Sequence, residues 1–540
     1  MRIRTLARPF GAVAALTLAT VAAGGPIGAA AAGPATARVQ LASPASDAAL
    51  VATLDQLFTD SRLNGALATM HVRDGATGAV VYSRGADQRV IPASNEKLMT
   101  SAAALEVLGP GYRFHTKVLY TGSKTGKTVT GSLYVQGQGD PTMTAARYDA
   151  LAAAVAAAGI TKVNGRLVGD DTWFDKVPLG LDWSWQDETY ADNAAISALT
   201  VASTADFDTG SVAVQSRPGS ATGKPATLTL VPANTAVKVV NKTTTGAAGS
   251  ADTVTATRAH GTNTVTVTGS SPLNATASGV DLVAVQNPTV LAVDVFRAAL
   301  KKHGVTVVGA NASWAAPATH KVVVDQTSIP LSQLLTPFLK LSNNGHAELL
   351  MKAMGRAKSP AVAGSWPTGL SAANAALAGL GVDTAVIRMG DGSGLSRRNW
   401  LTTRQIANLL YAAQSRPWFA TWYAALPIAG NPARLVGGTL ASRMTGTPAA
   451  NNLHGKTGTL SSVNALSGYV NDTTGRRLVF SALSNNALVN VSGVLDSAGV
   501  ALASSGSAGA GLTARRLAPV TPHIVTRDGA DIECSWVKAC

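Results

Sequence analysis

Cysteine is nearly missing from this chain, which has two, Cys534 and Cys540, in 540 residues. No histidine stands beside either to activate it, which excludes a catalytic thiol there. The eight histidines lack ligand spacing such as H-E-x-x-H, so neither a metal nor another cofactor is expected. A dense Lys/Arg run and an aromatic-basic motif are also absent, which sets nucleic acid aside as a partner despite a formal charge of +14. Past the first residues no apolar run approaches the roughly 20 residues that cross a bilayer. The mature chain is therefore expected to carry no transmembrane segment, with peripheral attachment left open. There is no internal repeat. Lys124-Thr125-Gly126 is no phosphate-binding loop, because Thr121 occupies the place of the first glycine that loop needs.

What is present begins with an export signature. Arg2, Arg4 and Arg8 precede an apolar stretch from Gly11 to Ala23 and small residues from Ala29 to Ala32, a pattern that predicts a removed secretory signal over residues 1–32. No Arg-Arg pair occurs in this leader, which favours the general secretory route over twin-arginine export. About 500 residues remain, room for two or three domains. Outside the cell Cys534 and Cys540 can close a small disulfide loop in a tail expected over residues 506–540, and whether they pair stays open. The positive charge suits an anionic wall polymer and equally suits an ordinary basic surface.

Three short motifs follow one another: Ser94-Asn95-Glu96-Lys97, Ser342-Asn343-Asn344 and Lys456-Thr457-Gly458. In that order they match the S-x-x-K, S-x-N and K-T-G set of penicillin-recognising serine enzymes. Each alone is weak, since Ser535 to Lys538, Ser484-Asn485-Asn486 and Lys124-Thr125-Gly126 repeat all three patterns elsewhere. Context separates them. Ser94 follows Pro92 and opens a run from Lys97 to Leu105 with apolar residues at helical spacing, closed by Gly109-Pro110. Lys456-Thr457-Gly458 leads into a strand-like stretch from Ser462 to Val470, whereas Lys124-Thr125-Gly126 reads as a hairpin turn.

Between the first two motifs the composition shifts toward Thr, Val, Gly and Ala. Period-two alternation marks Thr227 to Val231 and Thr262 to Val267, and Ser216 to Lys224 and Thr243 to Asp252 read as loops. Helical spacing returns at Leu291 to Leu300, Leu331 to Leu341 and His346 to Met354, so Ser342-Asn343-Asn344 falls between two helices. The expected fold class is α/β (α+β): a sheet flanked by helices, built from 45–117 and 291–505, with a mainly β insertion over 118–290. That insertion divides into 118–200 with 270–290, and 200–270.

On these motifs the chain resembles the exported D-alanyl-D-alanine carboxypeptidase/endopeptidase family, the class C penicillin-binding proteins. Gly139-Asp140-Pro141-Thr142, Asn164 to Asp170, Asp391 to Arg397 and the long insertion agree with it, as does Ser-Asn-Asn in the second motif. The resemblance implies a beta-lactamase/transpeptidase-like fold. It also implies an exported serine hydrolase at the cell wall or membrane periphery of a bacterium, peptidoglycan stem peptides as substrate and beta-lactam antibiotics as inhibitors. A secreted beta-lactamase and a catalytically idle wall-binding or sensor module remain the alternatives.

The chemistry follows from spacing first. Helix positions three apart lie on one face with Cβ atoms about 5 to 6 Å apart, so Lys97 can reach Ser94 and act as its base. To do so it must be neutral, a shift from about 10.4 to near 7 that corresponds to about 4 to 5 kcal/mol of differential interaction. The resemblance supplies the remaining roles. Backbone N–H groups of Ser94 and Thr459 form the oxyanion hole, Ser342 relays a proton to the departing amine, and Asn344 holds the substrate amide. Lys456, Thr457 and Thr459 bind the terminal carboxylate. Gly458 leaves room for substrate along the strand edge, with Leu460 and Ser461 as walls. Trp183, Trp185, Asp187, Glu188 and Tyr190 form an aromatic-acidic cluster for the peptide's amine end, Asp187 slightly ahead of Glu188, with Arg397 for its carboxylate.

Overall fold

The structure, a computed structural model, describes residues 45–276 and 279–506. The expected leader and the Cys534/Cys540 tail lie outside the described residues. Leu67–Asp74 (β1) and Val80–Arg84 (β2) form a hairpin, and His454–Leu460 (β3), Val463–Asn471 (β4) and Arg477–Asn485 (β5) form a meander. They join as one antiparallel sheet in the order β2-β1-β5-β4-β3, because β1 pairs with β5 from Leu67↔Asn485 to Asp74↔Leu478. Both ends of the chain thus meet in one sheet, and β3, which carries Lys456-Thr457-Gly458, is its edge.

The sheet is covered on both faces, which explains why β4 and β5 are almost continuously apolar or small. Alternate residues serve different cores. Ala465, Tyr469, Val479 and Leu483 pack with the helices Glu96–Val107 and Thr403–Ala413, while Leu466, Val470, Leu478 and Phe480 pack with Ala45–Leu57 and Ser492–Ala503. Leu331–Lys340 and Asn344–Lys358 are the helices expected around the second motif. Between them Ser342 adopts φ +58°, a left-handed turn unusual for serine that ends one helix and starts the next.

The strand pairing overrides the expected limits of the insertion. Lys321–Thr327 pairs with His115–Tyr120, and Asn311–Ser313 with Leu167–Asp170, so the inserted region continues well past residue 290. The helix Pro288–Lys302 packs into the same core as Ala145–Ala157. The internal division moves too. Gly279–Ala284 pairs with Ser211–Arg217, which ties 279–284 to the second part of the insertion as well as to 118–200, where Tyr190 bridges to Val283. The reason is general: alternation marks a strand but does not name its partner. Lys124-Thr125-Gly126 is a hairpin end, with Ser123–Thr125 paired to Thr128–Thr130.

Candidate active site

Pro92 leads into one tight turn, Ala93–Asn95, that feeds the helix Glu96–Val107. Ala93 is held at φ +47°, a strained position for a residue with a Cβ. Ser94 lies at the helix entrance, 4% exposed. One helical turn on, Lys97 is fully buried. Its Nζ lies 2.5 Å from Ser94 Oγ, 2.5 Å from Asn344 Oδ1 and 2.8 Å from the Ser393 carbonyl. Two of these three oxygens can only accept. A neutral amine has two N–H groups and one lone pair, and in that state donation to Asn344 and Ser393 would turn the lone pair toward the hydroxyl.

The other two motifs close around this pair. Lys456, buried on β3, donates from Nζ to Ser342 Oγ at 2.7 Å and to the Thr457 carbonyl at 2.9 Å. Asn95 Nδ2 donates to the Lys456 carbonyl at 3.0 Å and fastens the nucleophile turn to the strand. Asn344 Nδ2 donates to the Asp192 carbonyl at 3.1 Å, while Asn343 caps its helix by accepting from His346 N at 3.0 Å. Thr457 Oγ1 and Thr439 Oγ1 are 2.7 Å apart. All five predicted residues of the catalytic set, Ser94, Lys97, Ser342, Asn344 and Lys456, therefore sit within two linked clusters of contacts.

Gly458 has a different reason from the one expected. A Cβ there would stand 2.7 Å from the Pro92 carbonyl and 3.0 Å from Ser94 N. The missing side chain admits the nucleophile turn against β3, which brings Ser94 N beside the strand. Leu460 is buried with Ala93, Leu395 and Val463, and Trp183 packs against the same cluster. Ser461 is exposed, and its carbonyl accepts from Arg397 Nη2 at 3.3 Å.

The recognition cluster divides. Trp183 is partly buried, and its Nε1 donates to Asp391 Oδ2 at 2.9 Å. Trp185 is 70% exposed, its ring 4.8 Å from that of His260. Glu188 is held by the insertion, with Oε1 accepting from Arg258 at 2.7 Å and Oε2 2.7 Å from His260 Nδ1. Asp187 is buried in the turn Trp185–Thr189, and Tyr190, half-buried, bridges to Val283. Glu188 thus ties the segment to the insertion.

Several participants carry no motif. Glu348 and Asp391, both fully buried, hold the loop that presents the Ser393 carbonyl. Glu348 lies one helical turn past Asn344 and Lys352 one more, a polar i, i+4, i+8 stripe on a buried helix that was visible in the sequence. Burial and then the negative charge of Asp391 push the Glu348 carboxyl up to about 7, against the pull of its N–H donors. Glu96 is pushed well above the usual carboxylate range by burial, then by Asp391 and Glu348. His454, two residues before Lys456, stacks on Tyr423 at 4.1 Å, and burial lowers it to about 4, so it is neutral and structural.

A family model described as D-Ala-D-Ala carboxypeptidase 3 (S13) matches residues 50–504. The chain is 45% identical over 492 residues, 90% of its length and 89% of the relative's, to a D-alanyl-D-alanine carboxypeptidase of Actinomadura sp. (strain R39). The crystal structure of penicillin binding protein 4 (dacB) from Haemophilus influenzae superposes with a TM-score of 0.70 at 24% identity, covering 83% of this chain and 97% of that one. The same Haemophilus protein complexed with a novel beta-lactam gives a TM-score of 0.65 at 22% identity, with 83% and 97% covered.

Proposed function

The chain belongs to the D-Ala-D-Ala carboxypeptidase 3 (S13) family and is a serine-type D-Ala-D-Ala carboxypeptidase, and from that premise we propose how its residues carry the reaction. Lys97, as the neutral amine, takes the Ser94 proton while Oγ attacks the carbonyl between the two D-alanines. The tetrahedral oxyanion is met by the N–H groups of Ser94 and Thr459. Gly455 N donates outward from the sheet to the Pro427 carbonyl, and by the two-residue period of a strand Thr457 and Thr459 N–H face the same open edge. One such donor is worth about 10² to 10³ in rate.

The bond to the departing D-alanine then breaks, and its amine takes a proton relayed through Ser342, to which Lys456 is hydrogen-bonded at 2.7 Å. Lys456, Thr457 and Thr459 hold the terminal carboxylate, and water releases the acyl group from Ser94. Asn344 serves both Lys97 and the substrate amide. Beta-lactams present the same carboxylate and amide with a tethered leaving group, so the acyl-enzyme persists and they inhibit. Asp187, Tyr190, Trp185 and Arg397 form the outer pocket for the stem peptide's free end.

The observation that carries this reading is the Lys97 amine, within 2.5 Å of both Ser94 Oγ and Asn344 Oδ1. Peptidoglycan is outside the cytoplasm, and among the described residues no helix is long and apolar enough to cross a membrane. We propose on the ground of that substrate that the enzyme is exported and works at the wall or membrane surface. Ser94→Ala is expected to abolish fluorescent-penicillin labelling and to lower D-alanine release by about 10⁴ to 10⁶. Labelling of the folded variant at the wild-type rate would overturn the assignment. Mass spectrometry of digested peptidoglycan separates loss of single D-alanine from cleavage of D-Ala-diaminopimelyl cross-links, the endopeptidase reaction that the same residues can perform.

A further inference from the structure

We propose that Glu348 is a positioning residue for the Lys97 amine, acting through the backbone of Gly392 and Ser393. This rests on the reading of Lys97 as the base.

The helix Asn344–Lys358 presents Asn344, Glu348 and Lys352 one turn apart on a single buried face. Each holds a different part of the site. Asn344 Oδ1 takes the Lys97 amine at 2.5 Å. Glu348 Oε1 accepts from Ser393 N at 2.7 Å, and Oε2 accepts from Gly392 N at 3.0 Å and from Trp366 Nε1 at 2.7 Å. Lys352 donates to Asp175 and to the Val177 carbonyl, both at 2.6 Å. The Ser393 residue that Glu348 grips by its N–H is the one whose carbonyl accepts from Lys97 at 2.8 Å. One residue therefore separates the carboxylate from the base.

The loop has no regular structure of its own to fix that carbonyl. It is shaped by buried side chains from three directions: Glu348 below, Thr100 Oγ1 donating to the Gly392 carbonyl at 2.6 Å from the nucleophile helix, and Asp391 accepting from Gly394 N at 2.9 Å. Gly392 packs so closely that a Cβ would lie 2.8 Å from the Ala347 carbonyl and 3.2 Å from Glu348 Oε2. A carboxylate suits this place because all its partners are donors. A glutamine would turn two N–H groups of its own toward them, and an alanine would leave buried N–H groups without acceptors. A displaced Ser393 carbonyl releases one of the two anchors that aim the Lys97 lone pair at Ser94, and a shift of about 1 Å in such geometry costs about 10²-fold in rate.

The test measures single-turnover acylation by a fluorescent penicillin between pH 5 and 10, with thermal unfolding, for the full-length wild type, Glu348→Gln, Glu348→Ala, Lys352→Met and Lys97→Met. Glu348→Gln is expected to slow acylation about 10²-fold with the half-saturating penicillin concentration changed less than about threefold, and to move the pH profile. The groups facing Glu348 that shape that profile are Asp391, Glu96, Lys97 and Lys352. Glu348→Ala is expected to lose more than Glu348→Gln, which keeps one acceptor. Lys352→Met, equally buried one turn away, is expected to lose stability and to move the profile less than Glu348→Gln does, because it acts only through its charge on Glu348. A folded Glu348→Gln with the wild-type rate and profile, or a Lys352→Met that moves the profile equally, would overturn the proposal while leaving a dead Lys97→Met, and the base assignment, intact. Near-wild-type acylation by Lys97→Met would instead remove the premise.

Discussion

The catalytic centre and the recognition segment are fastened in opposite ways. Around Ser94 the working side chains are buried, and each is held by at least one partner from a distant segment: Lys97 by Asn344 and Ser393, Lys456 by Ser342, Asn95 by the Lys456 carbonyl. The recognition segment leaves Trp185 70% exposed and ties itself to the insertion through Glu188, Arg258 and His260. Chemistry demands reacting atoms fixed within fractions of an ångström, whereas a substrate's far end tolerates a softer hold. On the roles proposed for these two regions, selectivity and acyl transfer rest on separate attachments, and mutations at one should spare the other.

After loss of Ser94 or Lys97 itself, the largest expected effect on the centre is Gly458→Ala. The new Cβ would meet the Pro92 carbonyl at 2.7 Å and Ser94 N at 3.0 Å, so the turn must move away from β3 and the oxyanion donors separate. Penicillin acylation and D-alanine release are expected to fall together by about 10² to 10³. Stopped-flow labelling alongside a peptide assay checks this. A fall in peptide turnover alone would mean that Gly458 serves substrate fit, and the contrast between the regions would weaken.

A smaller and one-sided effect is expected from Glu188→Gln. It keeps the shape but removes the charge that Arg258 and His260 share. KM for a diaminopimelyl stem peptide is expected to rise about threefold to tenfold, with kcat and penicillin acylation within about twofold. An equal fall in penicillin acylation would show that the insertion reaches the chemistry after all.

Much of the centre was legible because helix geometry turns S-x-x-K into a contact without any tertiary information, and because the second motif falls between two recognisable helices. Glu348 was legible only in principle: a glutamate one turn from both Asn344 and Lys352 on a buried helix is a buried charge, and buried charges have work to do. Its partners were not, since the N–H groups of Gly392 and Ser393 are backbone atoms that no residue type announces. The recognition segment was least legible. Asp187 and Glu188 are adjacent acids, and only the distant Arg258 and His260 distinguish them. The end of the insertion was misjudged for the same reason, as the half-exposed strand Lys321–Thr327 belongs to a sheet begun at His115.

Histidines extend the contrast to pH, with the smallest effect. In the insertion His115, His260 and His303 stand beside Asp325, Glu188 and Asp149. In the catalytic part burial first of all lowers His71, His346 and His454 each to about 4, against a weaker upward pull on His71 from Asp87 and on His346 from Asp206. An unfolded histidine titrates near 6.5, so between about 6.5 and 4 the unfolded chain binds more protons at these positions than the folded one. Their contribution is intact above pH 6.5 and is lost as the pH falls toward 4. Glu348, raised to about 7, works the other way, gaining stability as the pH drops from about 7 to its unfolded value. A single melting curve mixes the two, so the measurement is a difference: between pH 7 and pH 5 the melting temperature of His454→Gln is expected to improve relative to wild type by about 2 °C. Parallel curves would mean that His454 is protonated in the fold, and with it would go the view that the catalytic part buries its histidines neutral while the insertion pairs them.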